Sequence, residues 1–300
     1  MHCIVTLVEG NFLFGACVLY NSLLRNGFSG LFVIGCRHPD LLPISARQAL
    51  TSQAEKIDWM ELDTPLHFTN FKPHFMQKVL DRYPQCTAIT YLDPDIVVNA
   101  PFHWIGRWAN GGPAVCADVN WWLPANHPIR QDWLAITKLN PQHRLDLYFN
   151  GGFVSILREH RLFLDNWRAI IEQWGDSDNP LDASGDIGAW RKGGRWFPFL
   201  TPDQDALNVV VMCWQGSITT LGPDVMGFAG FGELPHAIGS DKPWSRNYLS
   251  KALQGIPPRY VDKVFWSYAD SPLRPYGNWT VKLKRWSVLL ASLLTRIYRR

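Results

Sequence analysis

The sequence predicts an α/β protein with a mostly parallel central sheet flanked by helices. Two observations predict this fold class: short apolar runs rich in β-branched residues, and stretches of helical spacing between them. Strands that alternate with helices pair in parallel, because each connecting helix carries the chain back over one face of the sheet. With 300 residues, 47% of them hydrophobic, the chain is long enough for one large domain or two small ones.

The first hundred residues carry the clearest pattern. Residues 3–8 form an apolar, β-branched run that predicts a buried strand, and the helical spacing over 14–25 ends before Gly27, a favourable C-cap. The pattern continues with a strand over 31–36, a helix over 45–56, a strand over 57–62, a helix over 75–83 and a strand over 87–92.

Beyond residue 99 the pattern is less regular. Residues 176–196 are rich in Gly, Asp and Ser, which predicts a mobile loop over the functional site. The other predicted elements are strands over 114–119 and 149–157, helices over 161–174 and 205–213, and short strands and turns over 218–239.

Composition limits the class of protein. The six cysteines are scattered without a Cys-x-x-Cys pair, which predicts reduced, mostly buried thiols and a cytosolic compartment. Met1 leads directly into a strand, so no signal peptide is expected, and no apolar run reaches the roughly 18 residues that span a bilayer. Many of the 15 tryptophans must lie in the core, and any surplus aromatic surface suits sugar stacking or a membrane interface.

The net charge of +3 is a property of the C-terminal tail. Six of the 29 Lys and Arg residues follow Val281, and no acidic residue does. Without these six, 23 basic residues face 26 acidic ones, so the rest of the chain carries about −3. This distribution argues against a general nucleic-acid surface.

Asp93 and Asp95 form the most informative motif. They are separated by one proline and follow the strand predicted over 87–92, at the carboxyl end where α/β sheets bind ligands. Side chains two residues apart in an extended chain lie on one side, so the pair can bind one hard divalent cation. The alternative interpretation is two solvated loop aspartates.

Four further motifs follow a fixed order around this pair. Residues 6–16 read Thr-Leu-Val-Glu-Gly-Asn-Phe-Leu-Phe-Gly-Ala, at the junction of the first strand and the first helix. The others are Asn150-Gly-Gly before an apolar strand, Asp203-Gln-Asp-Ala-Leu-Asn at a helix start, and His236-Ala-Ile-Gly-Ser-Asp-Lys-Pro-Trp.

Together these motifs resemble the retaining glycosyltransferases of family 8, the group of glycogenin and the bacterial lipopolysaccharide galactosyl- and glucosyltransferases. The resemblance covers roughly residues 3–245, and the His-x-x-Gly-x-x-Lys-Pro-Trp segment is its most specific part. It implies a GT-A-type, Rossmann-like domain and a metal-dependent hexosyltransferase.

The resemblance implies a divalent-cation site. It assigns Asp93, Asp95 and His236 as protein ligands of Mn²⁺ or Mg²⁺, which bridges the two phosphates of a nucleotide-sugar donor. It places Lys242 against a diphosphate oxygen and Gly239 where backbone approaches the phosphates. The alternatives are an ordinary core histidine and a solvated surface lysine.

The resemblance assigns the nucleotide to the junction of the first strand and first helix. Thr6, Val8 and Phe12 occupy the positions that hold uracil and ribose in the family. Glu9 stands where asparagine is common, and Phe12 where tyrosine is usual, so this ring can stack on a base but offers no hydroxyl. Lys72 matches a basic residue that contacts the donor; the alternative is a surface charge at a helix start.

The donor sugar is assigned to two other motifs. Asn150 and Gly152 shape its pocket in the family, while Gly151 here replaces the usual serine. Asp203 and Gln204 stand where the family places contacts beside the anomeric carbon. Because an amide is a poor nucleophile, we favour a front-face route in which the departing phosphate oxygen helps to deprotonate the incoming hydroxyl. Asp203 can also serve as a helix N-cap, with a second carboxylate in the first turn.

The C-terminal tail predicts a basic amphipathic helix. Its apolar residues recur three and four apart, at Leu283, Trp286, Leu290, Leu293 and Ile297. Basic and interfacial aromatic residues accompany them: Lys282, Lys284, Arg285, Arg296, Arg299, Arg300, Trp279 and Tyr298. This composition is typical of a helix lying on an anionic membrane surface, as in the lipopolysaccharide members of the family. The alternative is a helix docked on the body with solvated basic residues.

We therefore expect a GT-A glycosyltransferase domain over 1–278 and an amphipathic helix over 279–300. The expected donor is a nucleoside-diphosphate hexose, most readily a UDP-hexose, and the acceptor is a hydroxyl of a saccharide or glycolipid. The expected location is cytoplasmic, with peripheral contact to the inner face of the membrane and no nucleic-acid partner. Trp121 and Trp122 either stack on an acceptor sugar or pack in the core.

Two other classes fit parts of the sequence. A phosphohydrolase of the haloacid dehalogenase type also uses Asp-x-Asp after a strand, but its nucleophile follows the first strand, and the Lys-Pro-Trp segment has no place in it. A membrane-associated glycan-binding protein with a decayed site would not need the intact set of three metal ligands.

Overall fold

The computed structural model of the chain describes residues 1–52, 55–174 and 198–298. These residues form seven strands and ten α-helices. In chain order they are β1 His2–Leu7, α1 Phe12–Arg25, β2 Leu31–Cys36, α2 Ile44–Thr51, β3 Ile57–Glu61, α3 Phe68–Arg82, β4 Ala88–Leu92, α4 Phe102–Ile105, β5 Ala114–Trp122, α5 Pro128–Thr137, β6 Leu147–Leu157, α6 Arg161–Trp174, α7 Pro202–Cys213, β7 Thr219–Leu221, α8 Tyr248–Leu253, α9 Tyr260–Ser267 and α10 Asn278–Tyr298. The loop predicted over 176–196 lies outside the described residues.

The strands form one sheet with the order β3-β2-β1-β4-β6-β5-β7. Strand β1 pairs with β4, β2 with β3, and β5 with β7 in parallel. Strand β6 runs antiparallel to both of its neighbours, β4 and β5. The predicted class, an α/β protein with a mostly parallel sheet flanked by helices, is confirmed.

Helix α3 differs most from its prediction. It begins at Phe68, seven residues before the predicted start, and includes Pro73. A proline inside a helix removes one hydrogen bond and costs about 3 kcal/mol. The helix nevertheless extends across it, because the His67 side chain caps the Thr69 backbone N–H at 3.3 Å and Phe71 is buried.

The chain forms two compact units. The first unit comprises Met1–Leu7, Leu62–Leu92 and Gly106–Pro223, and the second comprises Val8–Glu61, Asp93–Ile105 and Asp224–Arg300. Strands β1 and β4 to β7, with helices α3 and α5 to α7, belong to the first unit. Strands β2 and β3 and the remaining helices belong to the second.

The cysteines are reduced and mostly buried, as expected. All six cysteines are free, and five of them are buried. Among the described residues, no helix combines the length and the apolar character that crossing a membrane requires.

Helix α10 has two different apolar faces. Val281, Val288 and Ala291 are buried in a core of the second unit that also contains Tyr248 and Trp266. The predicted stripe lies elsewhere: its five members are 45% to 70% exposed, namely Leu283, Trp286, Leu290, Leu293 and Ile297. The helix is therefore docked on the body by its small residues and presents its large apolar residues outward.

Asn21 is a buried polar residue whose side chain binds the backbone of the segment between α9 and α10. It lies in α1, and its side-chain amide donates to the carbonyl oxygens of Tyr268 at 2.8 Å and Leu273 at 3.0 Å. Its side-chain oxygen accepts from the Leu273 N–H at 2.7 Å. One side chain thus satisfies three backbone groups that have little access to water.

We expect Asn21→Leu to lower the free energy of unfolding by about 3 kcal/mol or more, since each buried group left unpaired costs roughly 1–3 kcal/mol. Urea denaturation measures this change. The control is Asn110→Leu at an exposed position, where we expect a change within about 0.5 kcal/mol. Equal effects of both variants would contradict a role for the Asn21 hydrogen bonds.

Candidate active site

Backbone pairing in the second unit joins the Asp-x-Asp segment to the His236 segment. After β4 the chain turns at Pro94 and Asp95, where the Ile96 N–H donates to the Asp93 carbonyl at 3.0 Å, so the extended course expected for the motif is wrong. Ile96 then forms an antiparallel bridge with His236. The Ala237 N–H donates to the Asp95 carbonyl at 3.0 Å, and the Val97 N–H donates to the Pro235 carbonyl at 3.1 Å. Two segments that are 141 residues apart in sequence therefore lie side by side.

Three side chains meet on this pairing and form what we call the metal cluster: Asp93, Asp95 and His236. The His236 Nε2 atom lies 3.1 Å from Asp95 Oδ1 and 3.6 Å from Asp93 Oδ2. One ligand atom from each residue can be chosen so that all three lie within 4.8 Å of one another. Asp95 is buried, while 23% of the Asp93 side chain is exposed, which leaves one ligand reachable from solvent.

Lys242 completes the charge pattern around Asp95. Its ammonium group donates to Asp95 Oδ2 at 2.5 Å and to the Ala237 carbonyl at 2.8 Å. Burial alone raises the pKa of Asp95, but the charges and hydrogen bonds of His236 and Lys242 outweigh it and hold that pKa well below its usual range. Asp95 is therefore ionised, and Lys242 is a paired residue rather than a solvated surface lysine.

The donor set of the metal cluster fits a hard or borderline divalent cation. Two carboxylates and an imidazole offer oxygen and nitrogen ligands, which suit Mn²⁺ and, through the oxygens, Mg²⁺. The Nε2 atom of His236 faces both carboxylates, whereas its buried Nδ1 has no hydrogen-bond partner among the described residues. Nε2 is thus the atom available for coordination.

Gly15 sets how closely α1 approaches the metal cluster, a role that the sequence analysis missed. A Cβ atom at this position would lie 2.2 Å from the Pro94 carbonyl oxygen and 2.8 Å from Cζ3 of Trp244. Pro94 separates the two aspartates, so only glycine allows this packing of helix against the motif. An isolated glycine within a predicted helix costs about 1 kcal/mol relative to alanine, which is the local signal that could have drawn attention to this position.

The residues assigned to the nucleotide lie near the start of α1. Phe12 is exposed; its ring packs edge-on against Trp244 with centroids 5.4 Å apart, and the Lys242 ammonium lies 5.4 Å from the Phe12 centroid. Val8 is buried, and Glu9 pairs with Arg37.

Thr6 and Gly239, the other two positions assigned to the nucleotide and its phosphates, differ in their surroundings. The buried Thr6 hydroxyl of the first unit has no hydrogen-bond partner among the described residues. Gly239, in the second unit, has a φ of +81° and open space around it, so its backbone conformation rather than crowding favours glycine.

Lys72 and Asp203 form a buried ion pair in the first unit. The Lys72 ammonium donates to Asp203 Oδ2 at 2.9 Å and to the Gly151 carbonyl at 3.0 Å. Lys72 is only 3% exposed, so the interpretation as a surface charge is wrong. A Cβ atom at Gly151 would lie 2.9 Å from Asp203 Oδ2 and 3.3 Å from Lys72 Nζ, so a larger residue at this position would have to displace the ion pair.

An amide network lies beside this pair. Asn150 donates to Asp118 Oδ2 at 2.6 Å and accepts from the Gly152 N–H at 2.8 Å. Gln204 accepts from the Gly151 N–H at 2.9 Å, and its amide lies 3.4 Å from Asp118 Oδ2. Asp118 is a buried carboxylate that the sequence analysis did not select, although it stands in the strand predicted over 114–119.

The start of α7 fixes Asp203 and Gln204. Thr201 rather than Asp203 is the N-cap, and Asp203 and Asp205 are acidic residues of the first turn. Asp205 accepts from the Thr201 N–H at 2.8 Å and from the Tyr148 hydroxyl at 2.6 Å. Burial raises the pKa of Asp205 to about 7. The expected N-cap role of Asp203 is therefore wrong, whereas the first-turn position expected for the second carboxylate, Asp205, is confirmed.

The fold is shared with solved glycosyltransferases. The galactosyltransferase LgtC, in complex with donor and acceptor sugar analogues, has 16% identity and a TM-score of 0.50, over 94% of this chain and 99% of LgtC. The bifunctional WbbM has 15% identity and a TM-score of 0.54, with 94% of this chain matching 51% of WbbM. GlyE of Streptococcus pneumoniae TIGR4 has 13% identity and a TM-score of 0.51, over 96% of this chain and 64% of GlyE.

These likenesses establish the fold of the chain. The sequence matches no protein-family model and, at a significant level, no curated protein sequence.

We expect Gly15→Ala to lower the free energy of unfolding by about 1–3 kcal/mol, because the added methyl group forces Pro94 or Trp244 to move. Urea denaturation measures the loss. The control is Gly277→Ala, where an added Cβ meets nothing within 4 Å. If the two variants unfold at the same urea concentration, the close packing of α1 on the Asp-x-Asp motif is not a constraint.

Proposed function

We propose that the protein is a metal-dependent, retaining glycosyltransferase. It takes a hexose from a nucleoside diphosphate, with UDP as the first candidate, and transfers it to a hydroxyl group of a saccharide or glycolipid. The metal cluster carries this proposal: Asp93, Asp95 and His236 converge after β4. The fold supports it, because LgtC and GlyE are described as glycosyltransferases.

The diphosphate is assigned to the second unit. Asp93, Asp95 and His236 are the residues that would hold a divalent cation, which supplies positive charge to the two phosphates of the leaving group. Lys242, paired with Asp95, adds a second positive charge where the leaving group becomes more negative. Phe12 offers an exposed ring on which a base can stack.

The donor sugar is assigned to the first unit. Asn150 and Gln204 are held by hydrogen bonds to Asp118 and to the 151–152 backbone. The Gln204 amide oxygen is engaged by the Gly151 N–H, which supports a positioning role rather than attack on the sugar. Asp203 is fixed by Lys72 and stands where the family contacts the sugar.

The favoured route is front-face transfer with retention. The bond between the anomeric carbon and the phosphate oxygen breaks while a bond to the acceptor oxygen forms on the same face. The acceptor proton passes to the departing phosphate oxygen, so the protein needs to supply position and charge rather than a nucleophile.

The two other classes have less support. In a haloacid dehalogenase-type phosphohydrolase the nucleophile follows the first strand, whereas here Val8 and Glu9 follow β1, and the Asp pair follows β4. A protein that only binds glycans does not need carboxylates arranged around a histidine. A protein that only binds glycans would release no UDP in the following experiment.

We expect the wild-type protein to bind Mn²⁺ and to release UDP from a UDP-hexose only when Mn²⁺ or Mg²⁺ is present. A screen of UDP-glucose, UDP-galactose and other nucleotide sugars by mass spectrometry, with metal and with EDTA, measures release. Mn²⁺ affinity is measured by titration calorimetry. Equal release with EDTA, or no release from any donor, would contradict the proposal.

Asp93→Asn is the sharpest variant, because this carboxylate is the most exposed member of the metal cluster and the substitution keeps its shape. We expect a loss of Mn²⁺ affinity of tenfold or more, since even residues that only support metal ligands contribute about 10–100-fold. Asp132→Asn, on an exposed position of α5, is the matched control and should bind Mn²⁺ like the wild type.

We further propose that the exposed stripe of α10 rests on an anionic membrane surface, which places a cytoplasmic protein at the inner face of the membrane. The stripe is large and apolar, and Lys282 and Arg296 lie on the same helix. Lys284 and Arg285 are already engaged, with the Arg246 carbonyl and with Asp270. The apolar stripe therefore contributes more than the basic residues.

We expect the triple variant Leu283→Ser, Trp286→Ser, Leu290→Ser to lose binding to phosphatidylglycerol vesicles in a flotation assay, while UDP release persists. The substitutions leave the docked face of α10 intact, whereas deletion of the helix would uncover a core. The control replaces three similarly exposed residues, Leu41, Trp104 and Leu162, and should still bind. Retention of vesicle binding by the stripe variant would show that the membrane contact lies elsewhere.

A further inference from the structure

We infer that Trp121 and Trp122 form a platform that binds the saccharide part of the acceptor. This inference rests on the proposed function and adds the residues that select the acceptor.

The platform is an exposed aromatic pair at the end of β5. The first half of this strand, Ala114–Asp118, is buried, and the second half is exposed. Trp121 is 40% exposed and Trp122 is 61% exposed, so packing of these side chains in the core, one of the two interpretations of the sequence, is wrong. Their rings lie 5.8 Å apart at 77°, so the two indoles form one exposed aromatic surface.

The backbone under the platform is rigid. Trp122 pairs with Leu147, and the Leu123 N–H donates to the Asp146 carbonyl at 3.1 Å. Arg130, only 1% exposed, donates to the carbonyl oxygens of Leu123 at 3.0 Å and Leu147 at 2.7 Å. A buried guanidinium thus joins the two strands at this point, so the tryptophans need little ordering when a ligand arrives.

The same strand connects the platform to the amide network. Asp118, which accepts from Asn150, precedes Trp121 by three residues on β5. Between Ala117 and Trp122 the strand bulges: these residues pair with Phe149 and Leu147, so five steps along β5 lie opposite two steps along β6. Two steps are roughly 7 Å, so a saccharide on the platform can place a hydroxyl beside the donor-sugar residues.

The chemistry of the platform favours a saccharide. Indole rings have an apolar face and an N–H donor, which match the C–H face and the hydroxyl groups of a pyranose. Asp146 pairs with the residue after Trp122 through its backbone, and its carboxylate accepts from the Ala125 N–H at 2.8 Å. A polar residue next to the pair suits hydroxyl groups better than the continuous apolar surface of an obligate protein interface would.

The test compares Trp121→Ala/Trp122→Ala with Trp121→Phe/Trp122→Phe, which keeps aromatic faces, and with Trp104→Ala, an equally exposed tryptophan of α4. Each protein is measured for UDP release from the active UDP-hexose without acceptor, for binding to a printed array of oligosaccharides, and for transfer to the oligosaccharides that bind. Sedimentation reports the oligomeric state.

We expect the alanine pair to raise the acceptor KM, or weaken array binding, by tenfold or more, equivalent to about 1.4 kcal/mol, with UDP release within twofold of the wild type. The phenylalanine pair should retain most binding, and Trp104→Ala should behave as the wild type.

Three outcomes would contradict the proposed platform. They are an unchanged acceptor KM and array binding in the alanine pair, no oligosaccharide bound by the wild type, and a change of oligomeric state on substitution. If the proposed function itself is wrong, UDP release is absent from every protein, while array binding still measures whether the tryptophans bind oligosaccharides.

Discussion

The antiparallel pairing of residues 95–97 with residues 235–237 is the constraint on which the candidate site depends. Each backbone hydrogen bond in it is modest in net energy, about 1 kcal/mol. Together they fix the register, and the register decides that His236 rather than a neighbour faces Asp95. A slip of one residue would turn the imidazole to the other side of the segment. The geometry of the metal cluster is thus a consequence of main-chain pairing.

The candidate metal-binding and sugar-binding residues each include a buried carboxylate paired with a lysine. Asp95 accepts from Lys242, and Asp203 accepts from Lys72. Buried pairs of this kind add little net stability, because removing two charges from water costs about as much as their attraction returns. Such pairs hold each side chain in one position, which the proposed stabilisation of a departing diphosphate would require. Gly15 and Gly151 help to keep these side chains in place, because a Cβ atom at either position would overlap with residues of the site.

Much of the candidate site could be predicted from local sequence. Asp93 and Asp95 stand two apart after an apolar strand, and the Asn150 and Asp203 motifs adjoin predicted elements. The roles of Asp118 and Gly15 were missed, because each depends on a neighbour distant in sequence, Asn150 in one case and Trp244 in the other. Nothing local distinguishes Asp118 from any other aspartate on a strand.

By itself the sequence determined the α/β class, most of the elements and the amphipathic character of α10, because hydrophobic periodicity reflects one element at a time. The tertiary structure decided which apolar face of α10 is buried. Both faces are apolar, and the core of the second unit accepts the small residues Val281, Val288 and Ala291, leaving the larger stripe outside. It also decided that Lys72 is buried and that Trp121 and Trp122 are exposed. Burial depends on what packs above a residue, and that is a property of distant segments.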